Sequence, residues 1–156
     1  MEKTFADWLS FGVFLLFSVP IIIHDLKEQQ IPDIYLILCT VTLLVFRWFI
    51  SKDSSLFFLL HMFIGFLLIF VLWYFSHGKI GLGDAKLSAV IALFLGFEGW
   101  LFSMILASLL GSMAGAILLF KKKLKENEGI PFAPFMIIGG VFSFFFTDFM
   151  TRILYG

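Results

Sequence analysis

Charged side chains are scarce in this sequence of 156 residues: Lys, Arg, Asp and Glu make up 14% of it, against 61% hydrophobic residues. A soluble domain of this size cannot cover so apolar a chain with so few polar groups, whereas a chain surrounded by lipid needs no such cover. The 11 basic residues balance the 11 acidic ones, which argues against nucleic acid or a strongly charged ligand as the partner. The composition predicts an integral membrane protein that contacts membrane lipid.

Cysteine and histidine are also rare. The single cysteine, Cys39, lies in an apolar run and can form neither an internal disulfide nor a cysteine zinc cluster, so we interpret it as a small buried side chain. The three histidines, His24, His61 and His77, are scattered and lack the spacing of a ligand set. We therefore expect no metal site and no cofactor.

Long apolar runs fill most of the chain. Crossing a membrane takes roughly 20 apolar residues, and because backbone groups in lipid must be bonded within the segment, such runs should be helices. Six candidate segments are separated by short polar stretches: 8–23, 34–50, 55–75, 85–96, 100–120 and 131–147. The first is longer than a usual signal-peptide core, with no small-x-small site after it, so we expect it to be retained. The pattern predicts an all-α integral membrane protein with six transmembrane helices in a single domain, residues 1–156.

The segment 85–96 is short for a membrane span. As a helix it would extend about 18 Å, less than the ~30 Å apolar thickness of a bilayer. Three explanations stay open: the helix continues through Gly-Phe-Glu-Gly, the bilayer thins, or Asp84 begins below the membrane surface. In the last case Asp84 would lie at membrane depth, where acids are costly and usually functional.

The distribution of Lys and Arg predicts the orientation, because basic residues accumulate on the cytoplasmic side. With six spans, one side carries Lys27, Lys79, Lys86, Lys121, Lys122, Lys123 and Lys125. The other side carries Lys3, Arg47, Lys52 and Arg152. The larger number on the first side predicts that both termini are non-cytoplasmic and that Asp25 and Asp84 both face the cytoplasm.

Two acids on the same side of the membrane can divide acid and base roles. Asp25 ends the first apolar segment, and Asp84 follows Gly81-Leu82-Gly83 at the start of the fourth. Because like charges repel, one proton stays on such a pair, so one acid is neutral while the other is a base. A water between them can then be driven onto a peptide carbonyl. We predict that Asp25 and Asp84 form this catalytic pair.

Neighbouring residues are candidates for positioning a substrate. Gly81 and Gly83 would permit a tight non-helical turn and a close approach of a substrate backbone. Lys86 either stabilises an acid or binds lipid headgroups, and Asp33, after Pro32, either contacts substrate or caps the second helix. Each feature also has a structural interpretation: an interfacial acid at Asp25, or a turn with a helix cap at Gly-x-Gly-Asp.

Taken together, three motifs in order resemble the type IV prepilin peptidase family, which includes the archaeal preflagellin peptidases. They are Asp25 with Pro32-Asp33, then Gly81-x-Gly83-Asp84-x-Lys86-Leu87, and last the proline- and phenylalanine-rich stretch 130–135. The resemblance covers roughly residues 8–150. It implies a membrane aspartic endopeptidase that cleaves the basic leader of prepilin-like substrates at the cytoplasmic membrane face, usually after a glycine, with Asp25 and Asp84 as the catalytic acids.

One departure from the larger family members concerns a second activity. Those proteins carry a cytoplasmic segment ahead of the first catalytic acid, often with paired Cys-x-x-Cys zinc motifs, linked to N-methylation of the new pilin terminus. Here Asp25 follows the first apolar segment directly, and Cys39 is the only cysteine. The resemblance to the short members therefore predicts peptidase activity without methyltransferase activity.

Other interpretations use the same residues. Presenilins and signal peptide peptidases share Gly-x-Gly-Asp, but they place the first acid after a tyrosine and carry Pro-Ala-Leu near the C-terminus, whereas here the acid follows His24. A non-enzymatic transporter or assembly subunit would use Asp25 and Asp84 as proton or ion sites. The glycines beside Asp84 favour a site that accepts a substrate backbone over a site that binds an ion. An inactive homologue is a further alternative, although both acids are present.

Overall fold

The chain folds into a bundle of helices. The computed structural model describes residues 5–50, 55–76, 81–121 and 130–155, and the regular secondary structure of these residues is helical. The helices are α1 (Phe5–Glu28), α2 (Asp33–Ile50), α3 (Ser55–Phe75), α4 (Leu82–Phe120) and α5 (Ala133–Tyr155). This confirms the all-α fold class. The bounds of α2 and α3 follow the predicted segments closely, whereas α1 and α5 extend beyond the predicted 8–23 and 131–147.

The helices have the length and the surface of membrane spans. Three of those described are long and apolar enough to cross a bilayer, Phe5–Glu28, Phe57–Phe75 and Leu82–Phe120, and a shorter apolar helix covers Ala133–Phe146. Their outer faces carry large apolar side chains, of which Phe49 is 80% exposed and Phe120 89%. Soluble monomers rarely expose extensive apolar surface. The helices are therefore those of a multi-pass membrane protein.

Helix α4 reverses direction at Gly96. This residue alone inside α4 is non-helical, with φ 74° and ψ 179°, a conformation that glycine adopts without strain and other residues do not. The indole Nε1 of Trp100 donates a 2.8 Å hydrogen bond to Ser88 Oγ, although these residues would lie about 18 Å apart along an unbroken helix. We call the two halves of this hairpin arm A (residues 82–95) and arm B (residues 97–120).

The reversal differs from the sequence interpretation. The six-segment pattern leaves residues 97–99 as a connection between segments 85–96 and 100–120, but the helix resumes directly after Gly96. A single residue with positive φ is enough to turn the chain, so the following residues stay helical. The helix therefore continues through Gly-Phe-Glu-Gly, as one of the three explanations for the short segment has it, but in the reverse direction after Gly96.

Arg47 of α2 closes the end of arm A. A helix end leaves its last carbonyl groups without partners in the helix, and Arg47 Nη2 donates a 2.6 Å hydrogen bond to the carbonyl oxygen of Phe94. A cation at this position also opposes the negative end of the helix dipole. The guanidinium carbon lies 3.7 Å from the centre of the Phe58 ring. Arg47, counted from the sequence as a residue flanking a span, thus joins α2 to arm A and to α3.

The helices place the acids and the chain ends at opposite ends of the bundle. Asp25, in the last turn of α1, and Asp84, in the first turn of arm A, lie at one end together with the start of α5 at Ala133. At the other end, Trp8 of α1 packs edge-on against Phe144 of α5, with ring centroids 5.5 Å apart. The beginning of α1 therefore lies beside the second half of α5, away from the acids.

Close contacts between helices depend on glycine. A Cβ atom added to Gly139 would lie 2.5 Å from the carbonyl oxygen of Ser103, and one added to Gly65 would lie 2.6 Å from the Cβ of Ala92. Small residues let helices in a membrane approach at backbone distance, where van der Waals contact and interhelical hydrogen bonds hold them together. The glycines thus fix α5 against arm B and α3 against arm A.

The basic residues between the helices are mostly not described by the structure. Of the set that predicts the orientation, Lys3, Lys52, Lys79, Lys122, Lys123 and Lys125 lie outside the described residues, as does the side chain of Arg152. His77 also lies outside them. The orientation stays a prediction from the sequence.

Candidate active site

Asp25 and Asp84 line one cavity at the end of the bundle. The cavity has a volume of about 260 Å³, and the two acids are 4% and 9% exposed. They are close enough to interact electrostatically. The other residues around the cavity are Gln29, Gln30, Ile31, Asp33, Gly81, Leu82, Gly83 and Lys86. All six residues singled out from the sequence as site candidates are therefore brought together here.

The start of α5 holds the carboxylate of Asp25. The backbone N–H of Ala133 donates a buried 3.0 Å hydrogen bond to Asp25 Oδ2. The first amides of a helix have no partner within the helix, and Pro134, next along, has no N–H to donate. The backbone N–H of Phe135 donates a 3.1 Å hydrogen bond to the carbonyl oxygen of Phe132, so it is not available to Asp25. The carboxylate of another helix thus caps α5 at Ala133.

Gly81 and Gly83 make room for Asp84 and for its neighbour. Gly81 precedes α4 with φ −69° and ψ 136°, an ordinary extended conformation, and Gly83 is already helical. A Cβ on Gly81 would lie 3.1 Å from Asp84 Oδ2, and one on Gly83 3.1 Å from the Cβ of Ile31. The expectation that both glycines serve a non-helical turn is therefore wrong for Gly83. Their small size leaves space for the Asp84 carboxylate and for the segment before α2.

Lys86 is paired with Asp33. The Nζ of Lys86 lies 2.6 Å from Oδ1 of Asp33 and 2.7 Å from Oδ2, and the two side chains are 36% and 58% exposed. Asp33 is the first residue of α2. The ion pair therefore links the start of α2 to the first turn of arm A, at the rim of the cavity, and the partner of Lys86 is Asp33 instead of one of the buried acids.

Sequence reasoning missed several residues of the site. Gln29, Gln30, Ile31 and Leu82 also line the cavity, and Gln29 has a positive φ of 51° directly after the end of α1. Two consecutive glutamines after a helix that ends in an acid were an available signal. The sequence carries no signal for the hydrogen bond from the Ala133 amide, because every residue except proline has a backbone N–H. No three described His, Cys, Asp and Glu side chains are grouped so that they could hold a metal ion.

Comparison with known proteins assigns the chain to a family. The sequence pattern of the Type IV leader peptidase family matches residues 12–119, a range that includes both buried acids. No solved structure matches the chain.

Several similar proteins are named prepilin leader peptidase/N-methyltransferase. The one from Bacillus subtilis (strain 168) is 29% identical over 136 residues, which are 87% of this chain and 55% of that protein. Those from Xanthomonas campestris and Pseudomonas aeruginosa are 30% and 29% identical over 151 and 133 residues, which are 88% and 82% of this chain and 50% and 46% of those proteins. The chain thus spans about half the length of these relatives. On the family pattern, which covers most of its length, the chain belongs to the type IV leader peptidase family.

Proposed function

We propose that the protein is a membrane aspartic endopeptidase that removes the basic leader of type IV prepilin-like proteins, with Asp25 and Asp84 as the catalytic acids. The observation that carries the proposal is the shared cavity: two buried acids from different helices line it together. The family supports a peptidase, and the names of the relatives indicate the substrate class. With one proton shared by Asp25 and Asp84 and with Asp33 paired to Lys86, the cavity keeps a net negative charge, which suits a substrate with a basic leader.

The proposed reaction uses one water molecule and one shared proton. The ionised acid takes a proton from the water as the water oxygen attacks the peptide carbonyl carbon, and the protonated acid gives its proton to the carbonyl oxygen. The C–N bond then breaks: the first acid passes its proton to the leaving nitrogen, and the second takes back a proton from the tetrahedral intermediate, which restores the pair. Repulsion between two carboxylates in one cavity favours a single shared proton. The N–H of Ala133 donates a hydrogen bond to Oδ2 of Asp25, which restricts the orientation of this carboxylate.

We further propose six membrane passes, with the acids toward the cytoplasm and both termini on the other side. The passes are α1, α2, α3, the two arms of α4, and α5. Two arguments support this arrangement: the acids and the start of α1 lie at opposite ends of the bundle, and basic residues accumulate near the acids in the sequence. Under this arrangement the protein lies in the cell membrane, and substrate leaders reach the cavity from the cytoplasm.

For the residues of this chain we propose peptidase activity alone. The names of the relatives join the peptidase to an N-methyltransferase, but both candidate acids lie within the matched residues 12–119. Cys39 is 1% exposed, inside α2. It is therefore not available for a paired-cysteine zinc site of the kind associated with methyl transfer. A methylated product terminus would contradict this proposal.

The deciding experiment replaces each acid by its isosteric amide. The variants Asp25→Asn and Asp84→Asn are co-expressed with a pilin-like protein that has a basic leader, and the new product terminus is identified by mass spectrometry. We expect each substitution to lower processing about 100-fold or more, because it removes acid–base chemistry. Asp7→Asn is the matched control, since Asp7 lies in the first turn of α1, at the other end from Asp25.

Equal membrane levels of the three variants show that they insert. Normal processing by either Asp25→Asn or Asp84→Asn would refute the catalytic pair and favour a non-enzymatic role for the acids as ion sites. Loss of processing in Asp7→Asn as well would indicate a general effect of removing charge.

A further inference from the structure

A short connector, residues 29–32, joins α1 to α2. Three of its residues, Gln29, Gln30 and Ile31, line the acid cavity. The connector is therefore part of the wall of the site, and its position affects the space around both acids.

The first end of the connector is tied to the backbone of Asp25. The N–H of Gln29 donates a 3.0 Å hydrogen bond to the carbonyl oxygen of Asp25. Gln29 has a φ of 51°, a left-handed conformation that often ends a helix but is strained in residues other than glycine. Such a conformation persists where the surrounding contacts hold it. The connector thus begins in a held conformation, bonded to the residue that carries the first acid.

The other end of the connector is tied to the first turn of arm A by two contacts. Ile31 lies against Gly83, where an added Cβ would be 3.1 Å from the Cβ of Ile31. Asp33, directly after the connector, holds Lys86 with both carboxylate oxygens, at 2.6 and 2.7 Å. Gly83 precedes Asp84, and Lys86 lies two residues after it. The two contacts therefore flank the second acid.

We propose that the ion pair of Lys86 and Asp33 positions the two catalytic acids relative to each other. The pair closes a loop of contacts that runs from Asp25 through the connector to Asp84, and in this way it sets the separation of the acids. This role rests on the proposed function, because it concerns the same reaction. Both carboxyl groups must reach one water molecule, and a misplacement of about 1 Å can lower a rate about 100-fold.

The exposure of the pair separates this role from a purely structural one. The side chains of Lys86 and Asp33 are 36% and 58% exposed, and ion pairs with this much contact with solvent contribute little to stability. A structural role alone therefore predicts that removing the pair has small effects on unfolding and on catalysis. A positioning role predicts a loss of kcat in a protein whose midpoint of thermal unfolding hardly changes.

A direct effect of the pair on the substrate leads to a different expectation. Removing the Lys86 cation adds a negative charge to the balance of the cavity, whereas removing the Asp33 carboxylate adds a positive one. The affinity for a basic leader would then change in opposite directions, and KM with it. A positioning role instead lowers kcat in both cases.

The test compares Lys86→Met, Asp33→Asn and the double variant, each reconstituted in phospholipid vesicles. The substrate is a synthetic peptide with a Lys-rich leader that ends in glycine, followed by about 20 Leu and Ala residues. We expect each single substitution to lower kcat about tenfold or more. The double variant should lose no more than the worse single variant, because the effects of two residues that act as a pair do not add. Lys86→Arg should retain most of the wild-type kcat, since a guanidinium also pairs with both oxygens of a carboxylate.

Lys27→Met and Glu28→Gln are the matched controls. Both residues are exposed and lie in the last turn of α1, and neither is among the described residues that line the cavity. These variants remove the same charges at the same end of the bundle, so they should leave kcat unchanged. Equal losses of kcat in the controls would assign the effect to charge in general and overturn the positioning role.

The remaining outcomes separate the positioning role from the proposed function. Wild-type kcat in both single variants, with or without opposite changes in KM, would overturn the positioning role, and so would losses that multiply in the double variant. Thermal unfolding checks that each variant is folded; if Lys86→Met is not, Lys86→Gln takes its place. Failure of wild type to cleave the peptide would instead overturn the proposed function.

Discussion

Ala133 offers a way to disturb one catalytic acid without changing any side-chain charge. Its backbone N–H donates to Asp25 Oδ2 at 3.0 Å, and it is the first residue of α5. Proline has no N–H, yet it is well accommodated at the first position of a helix. The substitution Ala133→Pro should therefore remove the hydrogen bond to Asp25 while α5 still forms.

The size of the effect follows from the charge and the burial of the acceptor. A hydrogen bond to a charged group contributes about 1.5–3 kcal/mol, and Asp25 is only 4% exposed, so water cannot easily replace the lost donor. If this energy serves to orient the carboxylate for catalysis, a loss of this size lowers kcat about 10- to 100-fold. We expect little change in KM, because Ala133 is not among the residues that line the acid cavity.

The measurement is steady-state cleavage of a peptide with a basic leader by purified wild type, Ala133→Pro and Ala133→Gly. The glycine variant is the control, because it retains the N–H and removes only the methyl group. Thermal unfolding in detergent reports separately on the stability of each variant. Wild-type kcat in a folded Ala133→Pro protein would refute the idea that the start of α5 positions Asp25, and a loss of kcat in Ala133→Gly would assign the effect to packing.

Two further predictions concern stability and use the midpoint of thermal unfolding. Gly139→Ala should destabilise the protein by about 1–3 kcal/mol through overpacking, because the added Cβ would lie 2.5 Å from a backbone carbonyl oxygen. The control is Gly12→Ala, where an added Cβ meets nothing within 4 Å. Equal midpoints for the two variants would refute the close contact of α5 with arm B. Gly96→Ala should lower the free energy of unfolding by about 1–3 kcal/mol, because alanine is strained at a positive φ. An added Cβ would not clash, since its nearest neighbour, His61 Nδ1, lies 3.7 Å away. An unchanged midpoint would refute the reversal at this residue.

The helices and the site candidates were predictable because each depends on residue type. Apolar runs bounded by polar stretches mark the helices of a membrane protein, and α2 and α3 accordingly begin and end close to the predicted residues. Asp25 and Asp84 were identifiable as acids next to apolar segments, where such residues are costly. The structure adds that they line one cavity.

Features that depend on backbone geometry and on pairing were not predictable in this way. The sequence offers two glycines, Gly96 and Gly99, at which the chain could turn, and only the structure shows that Gly96 has the positive φ. The amide of Ala133 has no side-chain signature. Lys86 and Asp33 were each noticed, but ion pairing across 53 positions of the chain depends on how α2 packs against arm A.

The hydrogen bond from Arg47 to arm A holds the far end of α2. Arg47 donates to the Phe94 carbonyl and lies over the Phe58 ring of α3, whereas Asp33, at the start of α2, pairs with Lys86 of arm A. Polar contacts thus tie α2 to arm A at both of its ends, about 21 Å apart along the helix. Two such ties fix the register of α2 against arm A, because a shift of either helix along its axis would break both at once.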